Sequence, residues 1–450
     1  MAPSCPAALP ERLSVLVAGG GPAGFMAAIS AAEAGVKGVH LLEATPELLH
    51  KVRISGGGRC NVTHACWDPR ELVGHYPRGS RALRGPFSRF AAGDSLAWFA
   101  DHGLELVEEA DGRLFPRANR STAVIDCLRK AAAAAGVQVH TGVALQAASS
   151  APGGGFSLQV RGQAGKVQAG GRDPAAIRAG RLVLATGSHP SGRRLAAGLG
   201  HSLVPSAPSL FTLALAGDPL LALAGVSMEA VGLSLELPDG SRLDQQGPVL
   251  ITHWGLSGPA TLRLTAFAAR DLQASRYQAS LKIDWSGGRS AADLEQCFQY
   301  ARSEQARRLL ANWRPWPELS RRLWQHLLER ATVEPSRRWA DLTKGQQQRL
   351  LADLRGSQHR VSGRGPFGEE FVTAGGVALG EVDLARMESR CQPGLHLVGE
   401  LLDVDGVTGG FNFQHCWNSG WLAGQALATD WANSTWAGSS GADRRSSPED

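Results

Sequence analysis

The sequence predicts an α/β protein organised on a parallel, nucleotide-binding sheet, with a region of different character set into the middle of the chain. Three observations predict it. Val15 to Ala18 read as a buried strand, Gly19, Gly21 and Gly24 follow as G-x-G-x-x-G, and Phe25 to Ala34 run as an alanine-rich helix ended by Gly35. Val39 to Leu42 form a second strand that closes on Glu43, nineteen residues past Gly24. From about Leu199 to Asp284 short apolar runs alternate with Gly, Pro and Asp turns, and from Ser290 to about Arg355 the pattern is helical.

Each part of the first stretch has a physical task. Gly19 permits a tight turn, Gly21 lets a pyrophosphate approach the backbone, and Gly24 lets helix pack on strand. The helix start offers free N–H groups and the positive end of its dipole. Glu43 can accept hydrogen bonds from both ribose hydroxyls. The strand, helix, second strand and acid fall where a dinucleotide fingerprint requires them.

At 450 residues the chain has length for more than one domain, and 43% hydrophobic with 19% charged residues fits a globular protein. Met1 to Leu13 lack a basic start followed by a long apolar run, and no stretch approaches the roughly 20 apolar residues of a membrane span. The seven cysteines are scattered and none forms C-x-x-C, which predicts a reduced, cytoplasmic protein without a zinc site or dithiol pair. The net charge of +5 is uneven, since residues 302 to 364 hold 14 Lys and Arg against 6 Asp and Glu.

Lys51-Val-Arg-Ile-Ser-Gly-Gly-Gly-Arg-Cys-Asn61 reads as a backbone-exposing loop beside the ligand, in which Arg59 can fork onto an oxyanion or stack on a ring. Helices are expected over Ser95 to His102 and Ser121 to Ala135, the latter capped by Ser121 or Thr122. Strands are expected over Leu104 to Glu108, Gly136 to His140, and Val143 to Ala147. Phe115-Pro-Arg117 reads as a turn, and Leu158 to Val160 with Val167 as a hairpin. Arg181-Leu-Val-Leu-Ala-Thr-Gly187 is a further buried strand ending in a glycine turn. In the middle region Leu210 to Leu215, Val231 to Leu237, Val249 to Thr252 and Tyr277 to Ile283 read as an antiparallel sheet or small barrel. Thr261 to Ala269, Ala291 to Gln305, Glu318 to Ala331 and Lys344 to Leu354 read as helices. Trp313, Trp316, Trp324 and Trp339 are interleaved with the basic excess. That pattern is either a solvated arginine face over a tryptophan core or a nucleic-acid surface. Gly glycine-rich chemistry returns after Phe371, Trp417 to Thr429 form a final helix, and 433–450 reads as a disordered tail.

Gly19 to Gly24 with Glu43, Ala185-Thr-Gly187 and a closing Gly-Glu…Asp resemble the glutathione-reductase-like FAD superfamily. Four segments narrow the match: Ser55-Gly-Gly-Gly-Arg-Cys-Asn-Val-Thr63, His253-Trp-Gly-Leu-Ser-Gly-Pro-Ala260, Val372-Thr-Ala-Gly-Gly-Val377, and Gly399-Glu-Leu-Leu-Asp-Val-Asp-Gly-Val-Thr-Gly-Gly-Phe-Asn412. Together they resemble the BaiN/RdsA-like (YhiN-type) NAD(P)/FAD-dependent flavoprotein family. The resemblance implies a Rossmann-like, three-layer ββα FAD-binding domain from 1–198 and 357–432. It also implies an inserted β-barrel-like domain over 199–286 and a basic helical subdomain over 287–356. By position it implies that Gly19, Gly21, Pro22, Ala23 and Gly24 hold the pyrophosphate, and that Glu43, with Ala44, holds the adenosine ribose. Val143 meets the adenine, and Lys51, Arg59, Cys60 and Asn61 sit beside the flavin. Gly187 lines the pocket, Glu400 or Asp403, in the segment opened by Gly399, binds ribityl or phosphate groups, and Gly410, Phe411 and Asn412 aim helix amides at the flavin pyrimidine. Pro22 and His415-Cys-Trp417 depart from the family pattern.

The implied activity is reduction of a conjugated C=C bond by hydride transfer from reduced flavin, with NAD(P)H as electron donor although no second G-x-G-x-x-G is present. An RNA-modifying flavoenzyme of the rRNA dihydrouridine synthase kind, using Arg321, Arg322, Arg337 and Arg338, is the alternative, and a flavin-binding protein without turnover is a third. No acid–base residue stands out. Cys60 reads as proton donor, redox group or small packed residue, and His253 as flavin-facing or structural.

Overall fold

The computed structural model describes residues 9–162, 177–365 and 372–433. The chain forms two compact units, one from 1–206 with 375–450 and one from 207–374.

The first unit is organised on five parallel strands: β1 (Arg12–Ala18), β2 (Val39–Glu43), β3 (Gln138–Thr141), β4 (Ile177–Leu184) and β5 (Leu395–Leu397). Their order across the sheet is β3-β2-β1-β4-β5, with Val17 opposite both Leu41 and Val183. Leu16, Val17, Leu41, Leu182, Val183 and Leu397 are fully buried, as befits strands covered on both faces. The order reverses between β1 and β4, and a ligand cleft opens where strand order reverses, beyond the carboxyl ends. Val143–Ser150 and Phe156–Gly162 pair antiparallel to each other, and the second also pairs antiparallel to β4.

Two helices cross this sheet together, α1 (Pro22–Glu33) and α2 (Phe411–Ala432). Their contact is set by glycine. A Cβ on Gly420 would stand 2.6 Å from Ala23 O, and one on Gly424 would stand 2.5 Å from Ser30 Cβ. Positions rise together along both helices, so they run parallel and their N-termini point the same way. Gly420 lies level with the stretch Ala23 to Ala27, so α2 begins five to six residues, at about 1.5 Å each roughly 8 Å, beyond the start of α1 along their axes.

Several expectations shift locally. Arg113–Pro116 is a strand rather than a turn, because it pairs with Thr63–His64 on one side and Leu106–Glu108 on the other. The helix Ser121–Ala134 has no side-chain cap, and Ser121 Oγ instead donates to Arg53 O at 2.8 Å. The final helix starts at Phe411, six residues before the apolar pattern suggested. Val167 and the tail from 434 lie outside the described residues.

The second unit carries a seven-stranded sheet, in order Ser357–Val361, Ala279–Asp284, Ser227–Glu236, Arg242–Ile251, Gly255–Ser257, Leu213–Ala214, Gly363–Arg364. The first and last of these strands are parted only by Ser362, so a single segment pairs with Ala279–Asp284 through Val361 and with Leu213–Ala214 through Gly363, and the two edges of the sheet meet in it. Ser357–Val361 belongs to this sheet and Ala207–Ser209 pairs with Val372–Ala374, so the chain leaves the first unit after Ser206 and returns at Gly375. The helices Ala291–Glu304, Arg321–Arg330 and Lys344–Gly356 are not separate from it. Phe298, Trp324, Trp339 and Leu354 share one apolar core with Leu233, Leu281 and Ile283.

Candidate functional site

The first glycine turn leaves no room for side chains at two positions and open room at a third. Gly19 has φ +118°, and a Cβ there would stand 2.3 Å from Ala185 O at the end of β4. A Cβ on Gly24 would stand 2.0 Å from Gly19 O. Around Gly21, in contrast, no atom lies within 4 Å of where a Cβ would be, and no side chain caps α1. Pro22 occupies the first helical position, where its missing N–H costs nothing. The turn is held from β2: Gly20 N donates to Glu43 Oε2 at 2.9 Å, and Thr45 N and Oγ1 both donate to Oε1 at 2.9 Å. Gly142 N donates to Thr45 O at 3.0 Å, so buried Val143 follows directly beside the exposed Ala44–Thr45 segment.

A second cluster forms where β5 ends. Gly399 has φ +67°, and its Cβ would stand 2.8 Å from Ala23 Cβ. Its amide donates to Ser419 Oγ at 3.0 Å, tying this turn to α2. Glu400, its side chain 12% exposed, pairs with Lys51, and Gly187 lies beside the same carboxylate. Five expected site residues, Ala23, Lys51, Gly187, Gly399 and Glu400, from four separate segments therefore meet here.

The triple-glycine stretch is partly helical. Residues 50–54 form a turn of helix, Ser55 is extended, and Gly56, Gly57 and Gly58 take φ of +56°, +66° and +86°. Cys60 also takes a positive φ and is fully buried, and burial pushes its thiol up to about 12. A thiol so desolvated favours its protonated form. Arg59 turns away from the glycine turn, pairing with Glu109, donating to Asn119 Oδ1 at 2.5 Å and lying 4.0 Å over the Phe115 ring. The ring it stacks on is the protein's own.

The start of α2 is built against Thr63. Gly410 has φ +93°, and a Cβ there would stand 2.8 Å from Thr63 backbone atoms, while no side chain caps the helix. Trp417 Nε1 donates to Val62 O at 2.9 Å, and Thr63 Oγ1 to Gln414 Oε1 at 2.6 Å. Asn412 is occupied in clamping its own loop, accepting from Gly406 N and donating to Gly406 O, both at 2.8 Å. Phe411 stacks on His75 at 4.1 Å and on His64 at 4.9 Å between ring centroids, and Tyr76 Oη donates to Phe411 O at 2.7 Å. Asp405 is fully buried in an ion pair with Arg78, and Asp403 lies close enough to Arg193 to favour its charge. His415, fully enclosed, is lowered to about 4 by burial.

Four buried polar atoms around these turns have no protein partner: Asn61 Oδ1, Thr186 Oγ1, Gln414 Nε2 and His415 Nδ1. Native interiors rarely leave such atoms unpaired, and each belongs to or adjoins one of the glycine turns. The donor set fits an extended dinucleotide: two uncapped helix starts on parallel helices offset along their axes, an acid on β2 and backbone-lined turns. His253 is exposed on a turn of the second unit and belongs to no such cluster. Thr63, His64, Tyr76 and Gln414 carried no sequence signal as site residues beyond lying next to glycine motifs.

A family profile described as the HI0933-like protein Rossmann domain matches residues 13–426. The 3-dehydro-bile acid delta(4,6)-reductase of Clostridium scindens is 30% identical over 93% of this chain and 99% of its own length. The ribosomal RNA dihydrouridine synthases of Escherichia coli and Haemophilus influenzae are 27% and 24% identical, over 93% and 92% of this chain and 98% of their own lengths.

Proposed function

Because the chain belongs to the HI0933-like family and is an FAD-dependent oxidoreductase, we propose that it reduces a C=C bond conjugated to a carbonyl, with NAD(P)H as electron donor. The observation that carries this reading is the free room at Gly21, at the uncapped start of α1, beside a turn that Glu43 holds from β2. The bound flavin supplies hydride chemistry. The chain supplies position and charge. Gly19 to Gly24 and α1 receive the pyrophosphate, Glu43 the ribose, and Lys51 with Glu400 borders the ribityl side. The start of α2, set by Gly409 to Asn412, places helix amides and a positive dipole at the ring. The scattered free cysteines support a reducing, cytoplasmic setting. Among the described residues no helix is long and apolar enough to cross a membrane.

Anaerobic addition of NADPH or NADH to the yellow protein tests the donor. Bleaching of the flavin band, followed by its return on adding a conjugated enone, is the expected result. A band that stays unbleached by either nucleotide contradicts the donor assignment.

One observation favours a second reading, reduction of a base in RNA. Arg307, Arg308, Arg337 and Arg338 lie on adjoining segments, with Trp339 N donating to Arg308 O at 3.0 Å and Leu310 N to Arg337 O at 2.8 Å. All four are exposed and none forms an ion pair among the described residues. Clustered like charges of this kind suit a phosphate backbone. The tryptophans nearby do not take part as stacking platforms, because Trp316, Trp324 and Trp339 are buried.

A further inference from the structure

Two clusters in the first unit bring His, Cys, Asp or Glu ligand atoms within 4.8 Å of one another. In one, Glu388, His396 and Asp430, the central space is taken by a cation already. Arg386 lies 2.9 Å from Glu388 Oε2 and 2.6 Å from Asp430 Oδ1. The other comprises His201, Glu381 and Cys391, and no Lys or Arg pairs with its carboxylate among the described residues. We propose that His201 Nδ1, Glu381 and Cys391 Sγ bind one divalent zinc ion, with the fourth position left to water.

The three side chains are held ready by their neighbours. His201 stands just past the helix Pro190–Gly198, its side chain buried, with Nε2 2.7 Å from Ser389 Oγ. That contact fixes the ring and turns Nδ1 toward Glu381 Oε2, 3.1 Å away. Ser202 N donates to the same carboxylate oxygen at 2.8 Å, which fixes the acid. Cys391 N donates to Ser389 Oγ at 3.1 Å, so one serine orients both the histidine and the cysteine turn. Arg390 N donates to Glu381 O at 2.8 Å and ties the acid's segment to the cysteine's. Metal-bound histidines characteristically have their second nitrogen held in this way.

The donor types choose the ion. Zinc bonds of about 2.0–2.1 Å to nitrogen and oxygen place ligand atoms roughly 3.3 Å apart, close to the 3.1 Å seen between Nδ1 and Oε2. Calcium and magnesium call for six or more oxygens, and a nitrogen and a sulfur here exclude them. Cys391 is a free, exposed thiol, which gives the ion a path in from solvent. Binding releases the thiol proton, and the imidazole binds as its neutral form with the proton on Nε2. The ligands come from either side of the chain's excursion between Ser206 and Gly375, so the ion is a clasp across its exit and return.

The test uses the flavin-loaded full chain, stripped of metal by chelator and dialysis. Zinc chloride is titrated in competition with a chromophoric zinc chelator, and bound zinc is counted by elemental analysis. One zinc per chain is expected, with affinity at least about tenfold weaker in Cys391→Ser and in Glu381→Gln. Zinc should raise Tm in the parent and not in Cys391→Ser, while flavin absorbance stays the same. Both substituted positions are at or near the surface, so the metal-free variants should melt with the parent. A parent that takes up no zinc, or a Cys391→Ser variant that holds it as tightly, overturns the proposal.

Discussion

The two units solve the problem of making a site in opposite ways. In the first, backbone does the work. Gly19, Gly24, Gly410, Gly420 and Gly424 sit where a Cβ would collide with neighbouring atoms at 2.0 to 2.8 Å, and side chains are cleared so that turns and helix starts converge. In the second, side chains fill a core of leucine and tryptophan, and the surface carries Arg307, Arg308, Arg337 and Arg338, which form no ion pair among the described residues. The difference teaches that a cofactor cradle is made by leaving atoms out, whereas a charged surface is made by mounting side chains on a solid support.

The largest expected effect sharpens that contrast from the second unit. Trp324 is fully buried, stacked near-parallel on Trp339, and donates to Leu310 O at 2.7 Å. Trp324→Ala should cost about 3–5 kcal/mol in denaturant unfolding while leaving the flavin spectrum of the folded protein unchanged. Flavin loss at the same denaturant as the tryptophan signal in parent and variant alike would break the separation. In the first unit, Gly24→Ala drives a methyl into Gly19 O and should cost about 3 kcal/mol, with flavin content falling in step.

Acid should find the first unit next. Burial holds His40, beside His140 at 3.1 Å, and His415 near 4, below the ordinary 6.5. Above pH 6.5 neither folded nor unfolded chain is protonated there. Between 6.5 and 4 the unfolded chain takes up protons that the folded chain refuses, so stability falls through that window and levels below it. Each histidine contributes at most about 3 kcal/mol of that loss. Urea midpoints at pH 7 and pH 5 measure it, and His40→Phe should shrink the difference.

The smallest effect on stability belongs to the arginines. Arg307, Arg308, Arg337 and Arg338 changed together to Glu should shift the unfolding free energy by no more than about 0.5 kcal/mol per site. Reduction of a small enone should be unchanged. If RNA is a substrate, its binding should weaken strongly and lose salt dependence, by roughly 0.7 in slope for each phosphate contact removed.

How much of this was legible in the sequence follows from the same contrast. The strand–glycine–helix–strand–acid run could be read because glycines missing a Cβ leave a fixed spacing, and the order of β1, α1 and β2 came out as expected. The matched family agrees with the resemblance drawn from the glycine motifs. What each side chain does was less legible. Besides any ligand, Glu43 accepts from Gly20 N and Thr45, Arg59 stacks on Phe115, and Asn412 clamps Gly406. Those outcomes depend on residues far away in sequence. The glycine motif at Gly409 to Asn412 already marked a helix start, but the apolar pattern placed the body of α2 only from Trp417, because Phe411 to Cys416 are set by tertiary contacts with Thr63 and Tyr76. His201, Glu381 and Cys391 were invisible because their spacing matches no metal motif.

The most direct test of the central claim is Gly21→Val. Gly21 has φ −88°, which valine adopts without strain, and nothing lies within 4 Å of the added Cβ. The variant should therefore melt with the parent apoprotein, yet bind FAD at least about a hundredfold more weakly by equilibrium titration. A Gly21→Val protein that binds FAD as the parent does would contradict the account, because the space over Gly21 would not be the cofactor's.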